Sequence, residues 1–367
     1  LASAYAAAKN GARVILAEDK PRFGGSLLTS DVSINNQSGK EWADNIITEL
    51  KGMTNVTVKN RAQIFGYYDH NMLVMSERVT DHLPKSEEFT PKQRLWYIRA
   101  KQVVISSGSI ERPIVFGNND TPGVVLASAA KEYMKVYGVL VGKKPIVFTN
   151  NDSAYETAIE FKKNNINPIV LDSRQDSNSE IIKEAKSLGI DIKFSHVVVA
   201  AKGYKKVKSC DIAEISEDKQ NLNQIKNIEC DCICVSGFWT PTIHLASQSG
   251  GKTKFKEEID AFVPDKSKQK EVTLGSANGV FTLEETLKTS FDKGFELSKA
   301  ITNNNNSQQI PKVSEKKHSK HDKFWCVPLP KGKKYKRFLD FQNDVAVSDI
   351  ELAIREGYRS IEHVKRY

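Results

Sequence analysis

Apolar and polar positions change period several times along this chain, and each change marks an element. "LASAYAAAKNG" (1–11) is Ala-rich with helical spacing and stops at Asn10-Gly11. "ARVILAED" (12–19) is an apolar run that predicts a buried strand ending in acids. "KPRFGGSLL" (20–28) breaks the pattern with a glycine pair. "KEWADNIITELKGM" (40–53) returns to helical period, and "VTVKN" (56–60) reads as a strand. "AQIFGYYDHNMLVMSERV" (62–79) alternates with period two, which predicts a hairpin or meander. "YIRAKQVVISSG" (97–108) is a strand running into a Ser-Ser-Gly turn, and "ERPIVFGNNDTPGVV" (111–125) is loop-rich, with prolines fixing the backbone.

From about 124 to 243 the pattern restarts. A helix ("ASAAKEYMKVYG") precedes the strand "KKPIVF", the helix "SAYETAIEFKKNN" and the strand "INPIVLDSR". Another helix follows ("SEIIKEAKSLG"), then strands around 191–200, 204–216 and 226–235. After "GFWTP", residues 272–301 read as a strand, a glycine turn and a long helix. Residues 302–322 are polar and low in complexity, a linker. Beyond it a further small domain begins, in which Ser348, with Glu351 three residues on, is expected to N-cap a helix. The expected division is a discontinuous nucleotide-binding domain (1–123 and 245–301), an inserted second nucleotide-type domain (124–244), the linker (302–322) and the start of a small carboxyl-terminal domain (323–367). The fold class is α/β, with two nested Rossmann-type domains in the manner of FAD/NAD(P)-linked oxidoreductases.

A chain of 367 residues has room for two to three such domains. It has no apolar run of membrane-spanning length and no signal-peptide pattern, so a cytoplasmic protein with no membrane contact is expected. It opens on Leu1 inside a helical pattern and stops at Tyr367, which reads as a fragment cut at both ends. The net charge of +9 raises nucleic acid as a partner, but its placement argues against one. Residues 312–337 hold ten Lys/Arg against Glu315 and Asp322, nearly the whole excess, as expected of a solvated basic linker. Three of the five cysteines lie in "CDCIC", where alternation would place Cys230, Cys232 and Cys234 on one strand face. With no His or Cys cluster beside them they read as structural thiols, and no metal site is expected.

In a dinucleotide-binding unit the phosphates sit at a helix N-terminus, after a glycine-rich turn. That turn would precede Leu1. Glu18 ends its strand where a carboxylate takes the ribose hydroxyls of the adenosine half, flanked by Asp19 and Lys20. An acid there disfavours the 2′-phosphate of NADP. Gly24-Gly25-Ser26 forms a turn without bulk beside the diphosphate, or else a plain turn. Two further strand ends should close on the same ligand: Ser106-Ser107-Gly108, and the 274–283 loop, whose following helix would start with free N–H groups. Either could be merely a tight turn.

The inserted domain repeats the strand–helix–strand layout, yet its first turn is Thr149-Asn150-Asn151-Asp152-Ser153, with no glycine. Side chains crowd a diphosphate there and Asp152 repels it, so this domain should not bind NADH. The alternative is that Asn150 and Asn151 bond another ligand. Asp69 and His70 in "GYYDHN" read as hairpin-fixing residues, His196 and His244 as core histidines, and Trp239 as a packing residue. No nucleophile–base pair is evident, so no catalytic residue is assigned.

"GARVILAEDKPRFGGSLL", "IFGYYDHNMLVMSERVTDHL", "PKQRLWYIRAKQVVISSGSIERPIVFGNNDTPGV", "IVFTNNDSAYETA", "SGFWTPTIHLASQSGGK" and "DFQNDVAVSDIELAIREGYRSIEHVKRY" closely resemble the alpha subunits of heterotetrameric sarcosine oxidases, over essentially the whole chain except the linker. The resemblance implies an oxidoreductase acting on CH–NH groups as part of a complex with beta, gamma and delta subunits. It implies NAD in this chain, FAD, FMN and zinc in partner subunits, and tetrahydrofolate in a carboxyl-terminal domain beyond Tyr367. It implies oxidative demethylation of sarcosine to glycine, yielding peroxide and either formaldehyde or methylenetetrahydrofolate. Carried over by position, Glu18, Asp19, Lys20 and Ser26 should meet the adenosine and diphosphate, beside Gly24 and Gly25 of the turn read above. The turn near Ile64 and Phe65 should meet adenine through backbone groups, and Asn278 and Leu283 sit on the closing loop, opposite Ser107 and Gly108. Related amine dehydrogenase subunits begin their small domain with Cys-x-Cys-Glu, ligands of a [2Fe-2S] cluster. Here Asp340 and Gln342 stand in the cysteine positions, with Cys326 a lone thiol upstream, so a cluster-free ferredoxin-like domain is expected.

Three readings follow. The chain is a subunit of an oxidase whose chemistry occurs on partner flavins, or of a related amine or amino-acid dehydrogenase. Alternatively it is a non-catalytic NAD-binding scaffold. A self-contained NADH-linked disulfide reductase would need C-x-x-C and a second glycine loop, and the sequence has neither.

Overall fold

The computed structural model describes residues 1–86, 88–305 and 309–367. Contacts divide the chain into two units, 1–110 with 239–315 and 111–238 with 316–367.

In the first unit, helix Ala2–Lys9 leads into strand Val14–Ala17, which pairs in parallel with Val56–Lys59. Helix Gly39–Gly52 connects them. Ser38 Oγ accepts from the Glu41 amide while Glu41 Oε2 accepts from the Ser38 amide, so two N-terminal donors are satisfied reciprocally. Its helical spacing buries Trp42, Ala43, Ile46, Ile47 and Leu50 in one core with Phe23, Leu27, Leu287 and Phe291. The period-two segment is the expected hairpin, Ala62–Tyr68 with Met72–Arg78, extended by Gln93–Arg99 into an antiparallel sheet. Asp69 and His70 do fix its turn: Asp69 Oδ1 accepts from Gln269 Nε2, and the His70 amide donates to Gln269 Oε1. Strand Val103–Ile105 pairs in parallel with Glu271–Thr273, and helix Leu283–Thr302 packs on Ala2–Lys9. The stretch after that helix joins this unit through Val313–Ser314, which pairs with Ser33–Ile34.

The second unit holds a parallel sheet of five strands in the order Val124–Leu126, Cys232–Ser236, Pro145–Thr149, Ile169–Asp172, Asp191–Phe194. Helices Ala127–Tyr137, Ser153–Lys163 and Glu180–Ser187 cover one face through Val147, Val170, Cys232 and Cys234. The antiparallel sheet His196–Gly203, Val207–Ile215, Leu222–Glu229 covers the other through Ile146, Phe148, Leu171, Ile233 and Val235. Both faces are dry, which is why these strands read as unbroken apolar runs.

Three expectations are corrected here. Cys230 does not share a face with Cys232 and Cys234. The strand begins only at Cys232, after a turn in which the Asp231 carboxylate accepts from the Lys143 and Lys144 amides, and Cys230 packs in the opposite core with Cys210. Ser348 does not cap the Val347–Arg355 helix. Asp349 Oδ2 accepts from the Ala346 amide one turn earlier, and Glu351 instead bonds Arg337. His244 opens a short helix and is exposed, whereas His196 is partly buried with Nδ1 2.7 Å from the Phe194 carbonyl. No helix of the described residues is long and apolar enough to cross a membrane.

Candidate functional site

In the first unit the strand Val14–Ala17 delivers Glu18 at its carboxyl end. The Glu18 amide donates to the Lys59 carbonyl, and the Ala62 amide donates to the Glu18 carbonyl. These bonds set Glu18, Asp19 and Lys20 beside the start of the strand that carries Ile64 and Phe65. Burial, reinforced by neighbouring Asp19, raises the Glu18 carboxyl to about 7, although the Lys20 amide donates to its Oε1 at 3.1 Å. Burial disfavours the charged carboxylate, and hydroxyl donors bonded to it would favour that form. Arg78 Nη2 holds the Asp19 carbonyl, and the Arg61 amide holds that of Lys20.

The glycine pair that follows is conformationally required. Gly24 has φ +125° and Gly25 +54°. A Cβ on Gly24 would press on Leu28 at 3.1 Å and Ala43 at 3.3 Å, whereas one on Gly25 would meet nothing within 4 Å. Gly25 thus presents open backbone, and Ser26 begins the turn whose carbonyl takes the Thr29 and Ser30 amides. A bulge between Ile64 and Gly66 turns Phe65 outward, 48% exposed.

The two closing loops leave neighbouring parallel strands. Ser107 Oγ donates to the Thr242 carbonyl at 2.7 Å, and the Thr242 amide donates to the Gly108 carbonyl. Asn278 ends the Gly275–Asn278 turn, fixed by left-handed Gly275 and Gly279. The helix after it differs from expectation. Its first donors are not free, because the Leu283 and Glu284 amides donate to the two oxygens of Glu315 at 2.8 and 2.9 Å. A carboxylate there answers the helix dipole as an anion would. Composition hid Glu315, since it lies in a polar stretch 31 or more residues away.

In the second unit the glycine-free turn is buried and fully engaged. Asn151 Oδ1 accepts from the Ser153 amide and hydroxyl, and its Nδ2 donates to Ser236. Asn150 Nδ2 donates to the carbonyls of Asp322 (2.8 Å) and Phe324 (3.1 Å), and the Asp322 amide donates back to the Asn150 carbonyl at 2.9 Å. Asp152 Oδ2 accepts from the Ser319 amide at 2.6 Å. Arg174 lies between two carboxylates, Nη1 2.8 Å from Asp152 and Nη2 2.7 Å from Asp172, while the Tyr155 hydroxyl donates to Asp172. Burial opposes the charge of Asp152, but Arg174 and the Ser319 amide outweigh it and hold the carboxyl below its ordinary value. Arg174 was readable as the residue two past a strand-end acid, a clue the sequence reading left unused.

In the 316–367 part of the second unit, Asp340 closes a turn by accepting from the Gln342 and Asn343 amides, and Cys326 Sγ lies 3.4 Å from Arg337 Nη1.

The Sarcosine oxidase A3 domain family matches residues 334–367. Over its whole length the chain is 34% identical to a sarcosine oxidase subunit alpha of Corynebacterium sp. (strain P-1), of which it covers 38%. It is likewise 34% identical to that of Rhizobium meliloti (strain 1021), of which it covers 36%. The chain thus spans little more than a third of these curated relatives. Among solved structures, L-proline dehydrogenase from P. horikoshii superposes with TM-score 0.63 at 18% identity, covering 100% of this chain and 67% of that one. T. acidophilum thioredoxin reductase gives 0.60 at 14%, covering 82% and 93%. These distant likenesses bear out the α/β fold with Rossmann-type domains, and the matches over the whole of this chain bear out the resemblance to the alpha subunits.

Proposed function

We propose, on the premise that this chain corresponds to part of a sarcosine oxidase alpha subunit, that it serves an amine-oxidising complex by binding and organising, while the redox chemistry runs on partner flavins. In the balanced reaction sarcosine, oxygen and water give glycine, formaldehyde and hydrogen peroxide. With tetrahydrofolate as acceptor the one-carbon unit leaves as methylenetetrahydrofolate. Beta, gamma and delta subunits, carrying FAD, FMN and zinc, complete the assembly, and the folate domain belongs to the remainder of the alpha subunit.

NAD is the proposed ligand of the first unit. Glu18 would take the adenosine ribose hydroxyls, with Asp19 and Lys20 flanking it. The open backbone at Gly25, with Gly24 and Ser26, would lie along the diphosphate. Ile64 and Phe65 would meet adenine, while Ser107, Gly108 and Asn278 close the far side. Leu283 would contribute its side chain, its amide being committed to Glu315. The fit rests on a carboxyl at the carboxyl end of the Val14–Ala17 strand and a Gly25 face with nothing within 4 Å of it. Bound there, NAD supplies no hydride step and adds stability by mass action.

The observation that carries this reading is the state of the second unit's turn: Asn150 and Asp152 are committed to the chain's own backbone, leaving no seat for a reducing nicotinamide. The test is purification of the complex from its native host. Acid extraction should release NAD in stoichiometric amount, three further subunits should co-purify, and added NADH should leave the flavin spectrum unchanged. Flavin bleaching by NADH would overturn it.

A further inference from the structure

We propose that the carboxyl edge of the second unit's parallel sheet is a peptide-binding cleft, and that its ligand is this chain's own residues 319–324. The inference stands on contacts within that unit alone and is independent of whether the first unit holds NAD.

A nucleotide-binding edge offers amides and a helix N-terminus to phosphate. This edge offers the opposite chemistry. Asn150 uses both of its amide hydrogens on the carbonyls of Asp322 and Phe324, and its own carbonyl takes the Asp322 amide. That is the bonding of a strand edge reading a peptide, carried out largely by one side chain. Asp152 reads the Ser319 amide, Ser177 and Ser319 hydroxyls meet at 3.0 Å, and Arg174 Nη1 lies 3.5 Å from the Lys320 carbonyl. His321 stacks on Phe238 with ring centroids 4.0 Å apart, and Phe324 is buried in the unit's core.

Charge selects the same occupant. Asp152 and Asp172 outnumber Arg174 between them, so the buried cluster is anionic. The segment carries Lys320 and Lys323 against one acid, Asp322, which is paired to Lys219, and Lys316 just before it pairs with Glu184. A diphosphate entering here would meet two carboxylates and would have to displace at least four backbone hydrogen bonds. The segment therefore acts as a built-in occupant that closes the second nucleotide position.

The test uses the full chain in its complex, with limited trypsin digestion and hydrogen exchange as readouts. In the wild type, cleavage after Lys331, Lys333 and Lys334 should precede cleavage after Lys320 and Lys323, and the Ser319 and Asp322 amides should exchange slowly. Asn150→Asp keeps the shape but sets a carboxylate against two carbonyls. It should speed cleavage after Lys320 and Lys323 by at least about tenfold, the size of one or two lost net hydrogen bonds. Ser319→Pro removes the amide given to Asp152 without touching the sheet, and should act in the same direction even if Asn150→Asp fails to fold. In both, exchange in strand Pro145–Thr149 should stay slow. Ser319→Pro leaving cleavage within about twofold of wild type, or NADH saturably releasing the segment, would overturn the proposal.

Discussion

Arg174 shows how much one side chain can hold. It is nearly buried between Asp152 and Asp172, both inaccessible to solvent. Removing one partner of a buried ion cluster leaves uncompensated charge and costs about 3–5 kcal/mol. Arg174→Leu should therefore lower the stability of the second unit by that amount in urea titrations followed through Trp325, the sole tryptophan of that unit. Glu18 carries the opposite pH signature. Its folded carboxyl titrates near 7, above the unfolded value, so the folded state holds the extra proton between roughly 4.5 and 7. Stability from this group is complete below that window and is lost as pH rises through it. Hydrogen exchange of the Val14–Ala17 strand should accelerate between pH 5 and 7 beyond the intrinsic rate, and Glu18→Gln should remove the excess. Asp152, with its depressed carboxyl, contributes stability at neutral pH that is lost on acidification.

Among the elements, the crossing of helices Ala2–Lys9 and Leu283–Thr302 depends on Gly294. A Cβ there would lie 2.4 Å from the Ser3 carbonyl oxygen, and the obstacle is backbone, which cannot swing aside. Gly294→Ala gains about 1 kcal/mol of helix propensity yet should destabilise the first unit by about 1–3 kcal/mol net, read as a lower thermal midpoint. The helices and parallel strands themselves were legible, because strands 145–149 and 169–172 are unbroken runs buried on both faces, while helices 153–163 and 283–302 bury apolar positions at helical period. Their ends were less so. Ser348 offered a well-spaced cap, but hairpin pairing of Phe338–Asp340 with Val345–Ala346 set the N-cap two residues earlier, at Ala346, where Asp349 serves.

For the whole molecule, the proposed function predicts a subunit stabilised by a nucleotide that is bound once and kept. On that reading Glu18→Ala should yield complex with less NAD on acid extraction and a lower thermal midpoint, while NAD added in excess restores part of the difference. An unchanged NAD content would remove Glu18 from the site.

What the sequence determined by itself is local: the alternation of strand and helix, the glycine pair with its left-handed backbone, and the absence of glycine from the 149–153 turn. Those follow from side-chain period and from which residues tolerate positive φ, and both are written within a few neighbouring positions. The tertiary structure alone decided what met those elements. Glu315 seated on the helix at Leu283, Cys230 turned into the opposite core, and residues 319–324 bonded to Asn150 and Asp152 join positions up to 174 residues apart. Such contacts have no period and no composition to betray them. They arise because buried donors, acceptors and charges must find partners wherever the folded chain brings one within reach.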